Sequence, residues 1–465
     1  MPVPRRARRA SRRLLALALG AVVAMLCASP AQAAEVGTVP DLTWGTSRAE
    51  VDRTVRLMRE SGIRWVRMNA SWAAVEPNYK GSLDAGALAS LDYAVDAVRD
   101  AGIRVVMPIA DGVPYWASAD PAKRDSGGTR SWNRYWRPVR FSDYADVVSA
   151  LVARYSARGV HHYEIWNEPN HPRFWPSGAA DPAEYAQLLR AGSAAVRAAD
   201  PSATVLLGGL AGNDYPWLER LYATGARDAF DAVAVHPYTG AVDPTLCWNQ
   251  GGTARKAKDA FCGIEEVRAS MVAAGDGAKG IWVTEFGWAT NTTEYGVSEA
   301  VQADYLTKGF ERLERYPYVK AAFWYTFRNV YWLADDAANW EASTGLVRTD
   351  FSPKPALRAL RDYAGGASAF TTRVRRGSQV VRLQGRVAGV KRGTVAVRVS
   401  RRPLAAGQWR RVGTRKVALS RRGRWSVRLK LTASARYRVD AVYRRRALAM
   451  TAQRRSTPVV QSTVR

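Results

Sequence analysis

The chain has 465 residues, of which 47% are hydrophobic, and a formal net charge of +28 at pH 7. This length and hydrophobic content exclude a largely disordered chain and predict a large domain followed by a smaller one. Because only four histidines and three cysteines are present, none at metal-ligand spacing, we expect neither a metal site nor a cofactor.

The first 34 residues have the pattern of a secretory signal peptide. Residues 5–13 carry six arginines, residues 14–27 are apolar, and residues 31–33 read Ala-Gln-Ala, a small-x-small cleavage pattern. The apolar run is too short for a membrane span, and no other stretch reaches about 18 apolar residues, so we expect an exported protein without a transmembrane segment. Residues 11–15 also resemble a twin-arginine export signal, which leaves the export route open.

Two cysteines, Cys247 and Cys262, lie outside the predicted signal peptide. An oxidising destination makes a disulfide between them the first expectation, with two free thiols as the alternative. Closing the loop between them would stabilise the fold by about 3 kcal/mol in the chain-entropy model.

From residue 39 to about residue 363, short apolar runs alternate with amphipathic helical segments, as in repeated βα units. The runs predict eight strands, over residues 41–45, 63–69, 103–109, 163–166, 205–208, 232–235, 281–285 and 321–325. Gly62 and Gly102 each end a helical segment just before a strand. The pattern predicts an α/β fold, a (β/α)₈ TIM barrel over residues 35–365, with a doubly wound open sheet as the alternative.

The composition changes near residue 365. From Gly366 onward there are 27 Lys or Arg and one acid, Asp440, so residues 366–465 carry +26 and residues 35–365 carry −4. Runs that alternate by twos, separated by turn residues, predict a small antiparallel β-sandwich of immunoglobulin-like size, disordered from about residue 454. Such a domain would hold the protein near an anionic cell-envelope polymer, unless its basic surface is only solvated. No motif predicts a specific nucleic-acid partner.

Two of the predicted strands end in a glutamate. Residues 163–170 read Tyr-Glu-Ile-Trp-Asn-Glu-Pro-Asn and place Glu168 at a strand end, and residues 281–288 read Ile-Trp-Val-Thr-Glu-Phe-Gly-Trp and place Glu285 likewise. Reactive residues of a (β/α)₈ barrel project from the C-terminal ends of its strands. Two carboxylates there predict a glycosidase.

These two segments and His236-Pro237-Tyr238 resemble the landmarks of clan A glycoside hydrolases, retaining (β/α)₈ enzymes with glutamates on strands four and seven. The Asn-Glu-Pro-Asn run and residues 171–175 (His-Pro-Arg-Phe-Trp) are most similar to glycoside hydrolase family 39, the β-xylosidase and α-iduronidase family. The Thr-Glu-Phe-Gly-Trp run suits family 5 equally well. The resemblance covers roughly residues 40–363.

The resemblance implies that Glu168 is the general acid/base and Glu285 the nucleophile. It also implies substrate-binding side chains: Asn167 at the sugar 2-hydroxyl, Arg67 holding the nucleophile ionised, His236 and Tyr238 beside it, and Trp324 under the sugar. We further expect Trp175 and Trp288 to line subsites, because they follow the glutamates and sugars stack on aromatic faces. For Arg67, His236 and Trp324, structural packing or pairing remains the alternative.

The chemistry requires one carboxyl to be protonated and the other ionised, about 5–5.5 Å apart for a retaining mechanism. We expect Arg67 to favour the anion of Glu285, and apolar neighbours such as Trp166 to favour the protonated form of Glu168. Glu164 alternates with apolar residues, and we interpret it as structural.

The sequence therefore predicts a secreted, monomeric retaining glycoside hydrolase that acts by double displacement on a β-linked polysaccharide or oligosaccharide, with its basic domain as a candidate for attachment to the cell wall. One alternative is a catalytically silent carbohydrate- or cell-wall-binding protein, and another is a transglycosylase that uses the same residues. Exo and endo action stay open.

Overall fold

The computed structural model describes residues 34–110, 112–176, 181–333, 336 and 338–364, followed by the segments 373–374, 380–386, 393–402, 410–420, 424–430, 436–443, 446–454 and 458–459. The predicted signal peptide up to residue 33 lies outside the described residues.

Eight parallel strands form a closed barrel. They are β1 (Glu35–Val39), β2 (Trp65–Arg67), β3 (Arg104–Ala110), β4 (His162–Asn167), β5 (Thr204–Ala211), β6 (Ala232–His236), β7 (Gly280–Phe286) and β8 (Val319–Tyr325). β1 pairs with both β2 and β8, which closes the sheet, and the short strand Ala70–Ser71 continues the pairing along β3. The predicted (β/α)₈ barrel is confirmed, and the open sheet is excluded.

One helix follows each strand and covers the outside of the barrel. The helices are α1 (Arg48–Glu60), α2 (Ala85–Asp100), α3 (Phe141–Ser156), α4 (Pro182–Ala199), α5 (Tyr215–Ala223), α6 (Ile264–Ala273), α7 (Glu299–Leu313) and α8 (Pro355–Ala364). Local sequence explains where several of them begin. Ser47 and Glu50 form a capping box at α1, and Asp181 caps α4 just before Pro182.

The barrel interior at the N-terminal end of the strands, here called the floor, is apolar. Trp65, Trp282 and Phe323 fill it with Val106 and Leu206, and the rings of Trp65 and Trp282 meet edge to face with centroids 5.0 Å apart. Burial of these rings stabilises the fold. The floor therefore leaves the opposite end of the barrel for polar groups.

The first strand was predicted over residues 41–45, and this is wrong: β1 spans Glu35–Val39. The Asp41 carboxylate accepts hydrogen bonds from the backbone amides of Thr43 and Trp44, which makes this segment a turn. Position 37 of this strand is occupied by glycine because a Cβ there would lie 2.5 Å from the Phe323 ring. The other seven strands lie where the sequence predicted them.

The described segments of the C-terminal part form eight antiparallel strands: β9 (Arg373–Val374), β10 (Val380–Arg386), β11 (Thr394–Arg402), β12 (Arg410–Ala418), β13 (Arg424–Lys430), β14 (Arg436–Tyr443), β15 (Arg446–Arg454) and β16 (Pro458–Val459). They form one sheet in the order β9-β10-β13 and another in the order β12-β11-β14-β15-β16. Along β13, Trp425, Val427 and Leu429 are buried while the residues between them are exposed. Antiparallel strands are confirmed, and the sandwich and its boundary near residue 365 remain predictions. β16 lies within the segment for which disorder was predicted.

The predicted disulfide is present between Cys247 and Cys262, with their Cα atoms 5.8 Å apart. Among the helices of the described part of the chain, none is long and apolar enough to cross a membrane.

Candidate active site

The C-terminal ends of the strands, here called the mouth, bring together the charged side chains that the sequence placed at strand ends. Arg67 comes from β2, Asn167 and Glu168 from β4, His236 from β6 and Glu285 from β7. Hydrogen bonds and ion pairs join all five into one group. The structure therefore brings these polar residues together, and their roles remain predictions.

Arg67 is at the centre of this group and is 1% exposed. Its Nε and Nη2 donate to the two oxygens of Glu164 at 2.8 and 3.1 Å, and its Nη1 donates to Glu285 at 2.5 Å. Nη2 also donates to the amide oxygen of Asn167 at 2.8 Å. Burial opposes its charge, but Glu164 and Glu285 raise the pKa of the guanidinium, so Arg67 stays a cation.

Glu285 has a donor on each oxygen. Arg67 donates to Oε1, the Tyr238 hydroxyl donates to Oε2 at 2.8 Å, and His236 Nδ1 lies 3.7 Å from Oε2. Burial raises the pKa of Glu285, and the neighbouring Glu168 adds to this, while His236 and Arg67 lower it. The predicted contact with Arg67 is present, but the net direction of the pKa is upward, because burial outweighs the cations.

Glu168 is held by His236. Its Oε1 lies 2.7 Å from His236 Nδ1, and His236 Nε2 lies 3.0 Å from the Thr284 hydroxyl. Burial works against protonation of His236, but the charge of Glu285 and the hydrogen bond to Glu168 raise its pKa overall. Gly209 makes room for the ring, because a Cβ there would lie 2.1 Å from Nε2.

The β4 end has an unusual backbone. Trp166 and Glu168 have φ values of 75° and 44°, in the left-handed region that non-glycine residues rarely adopt. Glu168 N donates to Gly209 O at 3.0 Å, and Trp166 Nε1 donates to Phe174 O at 3.0 Å. These bonds hold a strained turn, as at many functional sites, and the turn aims the Glu168 carboxyl at His236.

One carboxylate oxygen of Glu168, one of Glu285 and a ring nitrogen of His236 all lie within 4.8 Å of one another. This trio is the one group among the described residues with the spacing of metal ligands. The Arg67 guanidinium on Glu285 would repel a cation there, so the set does not fit a metal. Carboxylate oxygens this close are compatible with the separation of about 5–5.5 Å between the carboxyl groups of a retaining glycosidase.

Three predicted sugar-binding tryptophans lie in the core instead. Trp324 is 0% exposed and packs beside Phe286 and Trp288 outside the barrel wall, because successive β8 residues alternate and Phe323 takes the inner face. Trp288 and Trp175 are also buried, and their indole nitrogens donate to Thr239 and Glu184. These side chains pack the barrel and do not line open subsites.

The sequence analysis missed residues that the structure adds to the site. Glu164 is 0% exposed, binds Arg67 with both oxygens and accepts from Gly209 N at 2.7 Å. Tyr325 and Trp340 pack around the Tyr238 ring, with centroids 6.2 and 5.0 Å from it. The alternation of side chains along β4 places Glu164 on the inner face of a buried strand. This position could have identified it as a site residue, because a buried carboxylate needs a cationic partner.

A closed (β/α)₈ barrel with adjoining glutamates at the ends of β4 and β7 defines the class of the protein, a clan A glycoside hydrolase. Residues 28–329 match the family model of cellulase (glycosyl hydrolase family 5). The chain belongs to that family.

A β-xylosidase from Geobacillus stearothermophilus is 24% identical over 243 residues, which cover 49% of this chain and 47% of the relative. The chain thus spans about half the length of the curated relative it matches. A family 39 glycoside hydrolase from Bacteroides cellulosilyticus WH2 aligns with a TM-score of 0.57 and 21% identity over 86% of this chain and 81% of that one. A GH5_18 protein from Streptomyces cattleya, solved with GlcNAc, aligns with a TM-score of 0.55 and 21% identity over 74% and 82%. The two structures support the fold.

Proposed function

We propose that the protein is an exported retaining glycoside hydrolase that cleaves a β-glycosidic bond in an oligosaccharide or polysaccharide. The observation that carries this proposal is the pair of glutamates whose oxygens approach within 4.8 Å, one bound by Arg67 and Tyr238 and the other by His236. Different donors on the two carboxyls allow them to take different roles.

The reaction proceeds in two displacements. In the first, a Glu285 oxygen attacks the anomeric carbon while Glu168 gives its proton to the departing glycosidic oxygen, which produces a glycosyl ester and an alcohol. In the second, the Glu168 carboxylate takes a proton from water, the water oxygen attacks the same carbon, and Glu285 departs as a carboxylate. Both glutamates end in their starting states.

The surrounding residues position these two carboxyls. Arg67 and Tyr238 orient both Glu285 oxygens and partly offset the rise of its pKa caused by burial. Because Arg67 occupies the amide oxygen of Asn167, the amide nitrogen is the group that this residue offers to a sugar hydroxyl. A hydrogen bond to the 2-hydroxyl that strengthens in the oxocarbenium-like state would lower the barrier.

The names of the family and of the relative support a β-linked substrate. The matching family is named for cellulase, and the matching relative is a β-xylosidase. We therefore assign β-glucosides and β-xylosides as the first substrates to test.

The test is intact-mass spectrometry after incubation with 2-deoxy-2-fluoro β-glucosyl and β-xylosyl fluorides, which form the ester but hydrolyse it slowly. The expected result is a mass gain of one glycosyl unit on wild type and none on Glu285→Gln. No gain with either donor would contradict the proposal and favour a silent carbohydrate-binding protein. Transfer to an added sugar acceptor in preference to water would instead identify a transglycosylase.

The proposal includes attachment to an anionic cell envelope through the C-terminal strands. Arg424, Arg428 and Lys430 are exposed on one face of β13, and β12 exposes further basic residues at positions 410, 411, 415 and 416. Full-length protein should sediment with cell envelopes at low salt and be released at high salt. A charge-reversed variant at the three β13 positions should sediment less, and equal sedimentation would contradict this role.

A further inference from the structure

An ion pair joins two loops at the mouth that belong to distant strands. Arg173 follows β4, and its Nη1 lies 2.8 Å from Oε1 of Glu341, which follows β8. In an eight-stranded barrel closed between β1 and β8, β4 and β8 stand on opposite sides. The pair therefore spans the mouth instead of linking neighbouring loops.

Two tyrosine side chains connect this pair to Glu285. The Tyr325 hydroxyl donates to Glu341 Oε2 at 3.2 Å, and Tyr325 packs beside Tyr238, which donates to Glu285. Burial and then the charges of Glu341 and Glu285 raise the pKa of Tyr325 well above its ordinary value. A sugar at Glu285 would meet this set of side chains on one side.

The Glu341 side is anchored by buried hydrogen bonds. Lys354, which is 2% exposed, donates to Ser343 O at 2.6 Å and to the Thr290 hydroxyl at 2.9 Å. Two further donors, Trp324 Nε1 and Gln302 Nε2, reach Thr344 O at 3.0 and 3.3 Å. These hydrogen bonds fix the short helix Trp340–Ser343, which carries Glu341, to the barrel.

The Arg173 side is anchored through the turn that carries Glu168. The Arg173 backbone amide donates to His171 Nδ1 at 3.2 Å, and the guanidinium lies 5.2 Å from the Phe174 ring centroid. Tyr135, from the loop after β3, packs edge to face on Phe174 with centroids 5.1 Å apart. Both ends of the bridge are therefore held independently of the bridge itself.

We infer that the Arg173–Glu341 pair crosses the mouth beside Glu285, so that the site is a pocket and the enzyme removes sugars from a chain end. A long saccharide cannot run through a mouth that is crossed by a side-chain bridge, whereas a terminal sugar can enter beside it. This inference rests on the proposed function and adds the mode of action. Because Arg173 is 54% exposed, the pair contributes little to folding, and its removal should leave the barrel intact.

The test uses reducing-end-labelled cellohexaose and β-1,4-xylohexaose with full-length enzyme, and resolves the labelled products at the first few per cent of conversion. Wild type should shorten the chain by one constant step from a single end. Arg173→Gln and Glu341→Gln should cut internal bonds as well, raising the ratio of internal to terminal cleavage about tenfold, the discrimination that a single pocket contact supplies. The exchanged pair Arg173→Glu with Glu341→Arg should lower that ratio again.

Arg154→Gln is the matched control, because Arg154 forms a comparable pair with Asp92 between α3 and α2, and its ratio should equal that of wild type. A ladder of internal products from wild type would overturn the inference, as would an unchanged ratio in both single variants. Ester formation on Glu285 without cleavage of either hexasaccharide would also overturn it, because a pocket must accept a chain end. Failure to form the ester at all would instead refute the proposed function.

Discussion

The floor and the mouth of the barrel each contain a histidine, half-buried at the floor and fully buried at the mouth, and the two are in opposite electrostatic settings. At the floor, His162 packs against Trp65 and Trp282, with centroids 4.7 and 5.5 Å away, and burial together with the charge of Arg104 lowers its pKa to about 4. At the mouth, burial also opposes the charge of His236, but the charge of Glu285 and the hydrogen bond to Glu168 raise its pKa. Burial alone excludes charge, and neighbouring carboxylates restore it.

This difference separates stability from chemistry along one set of strands. The floor gains free energy by removing apolar rings from water, whereas the mouth has a desolvation cost for each buried charge and is held by mutual hydrogen bonds. Substitutions at the floor should therefore lower the free energy of unfolding, and substitutions at the mouth should lower the rate of glycoside cleavage. Four experiments test this division, from the largest expected effect to the smallest.

The largest effect is expected at Glu285, the proposed nucleophile. Glu285→Gln keeps the shape of the side chain but cannot form the glycosyl ester, so kcat on an activated aryl β-glycoside should fall by about 10⁴-fold or more, about 5.5 kcal/mol of barrier. Steady-state kinetics on the purified variant measure this. A fall of less than about tenfold would show that another group attacks.

At the floor, a substitution should lower stability and change the catalytic rate little. Trp282→Ala removes the ring that packs between Trp65 and Phe323, so the free energy of unfolding should fall by about 4 kcal/mol. Urea denaturation measures it, and kcat of the folded variant should change far less than for Glu285→Gln. Trp248→Ala, at a side chain 36% exposed, is the control and should be nearly neutral. If Trp282→Ala lowered kcat without lowering the free energy of unfolding, the assignment of stability to the floor and chemistry to the mouth would be wrong.

Glu164 tests the boundary between the two regions, because it is wholly buried and yet belongs to the site. Glu164→Gln leaves Arg67 with one carboxylate fewer, so the free energy of unfolding should fall by about 3 kcal/mol. The rate should also fall, by about 100-fold, because Arg67 no longer aligns Glu285 and Asn167. Asp228→Asn, at an exposed pair with Arg227, should change neither quantity much. A variant that loses stability but keeps the catalytic rate would show that Glu164 has only the structural role first expected.

The smallest effect is the pH dependence of stability caused by His162. Its pKa is about 4 in the folded protein against 6.5 ordinarily, so the unfolded chain binds more protons between these values. Stability from this group is therefore present above pH 6.5 and is lost as the pH falls towards 4, by about 3 kcal/mol in total. The measurement is urea unfolding of wild type and His162→Phe at several pH values, and the difference between them should shrink with acidification. A difference independent of pH would show that His162 titrates normally.

Much of the barrel could be predicted because its signals are local. Apolar runs of strand length, helix-ending glycines such as Gly62 and capping residues such as Ser47 each lie within a few residues of the element that they define. The one misplaced strand, β1, contains Gly37, whose fit depends on Phe323, its partner on β8 near the other end of the barrel sequence. No local pattern could identify that contact.

Some residues of the site could be predicted from the sequence and others could not. Glu168 and Glu285 were predicted because strand ends of a (β/α)₈ barrel converge, and Arg67 and His236 because their segments resemble those of clan A glycoside hydrolases. The tryptophans were misassigned because the sequence shows that an aromatic residue lies near a strand end, but not which face of the strand it occupies. On β8 the alternation places Phe323 inside and Trp324 outside, and Tyr325 takes the position beside Tyr238.

By itself, the sequence determined the class of fold, the order of the catalytic strands, the two glutamates and the cysteine pair, because periodicity and motif spacing are properties of neighbouring residues. Only the tertiary structure decided that Glu164 shares Arg67 with Glu285 and that Arg173 reaches Glu341. Those contacts join residues 97 and 168 positions apart, and they form only when the closed barrel brings opposite strands to one mouth. The same closure removes the charges from water, and so turns a set of ordinary side chains into one coupled group.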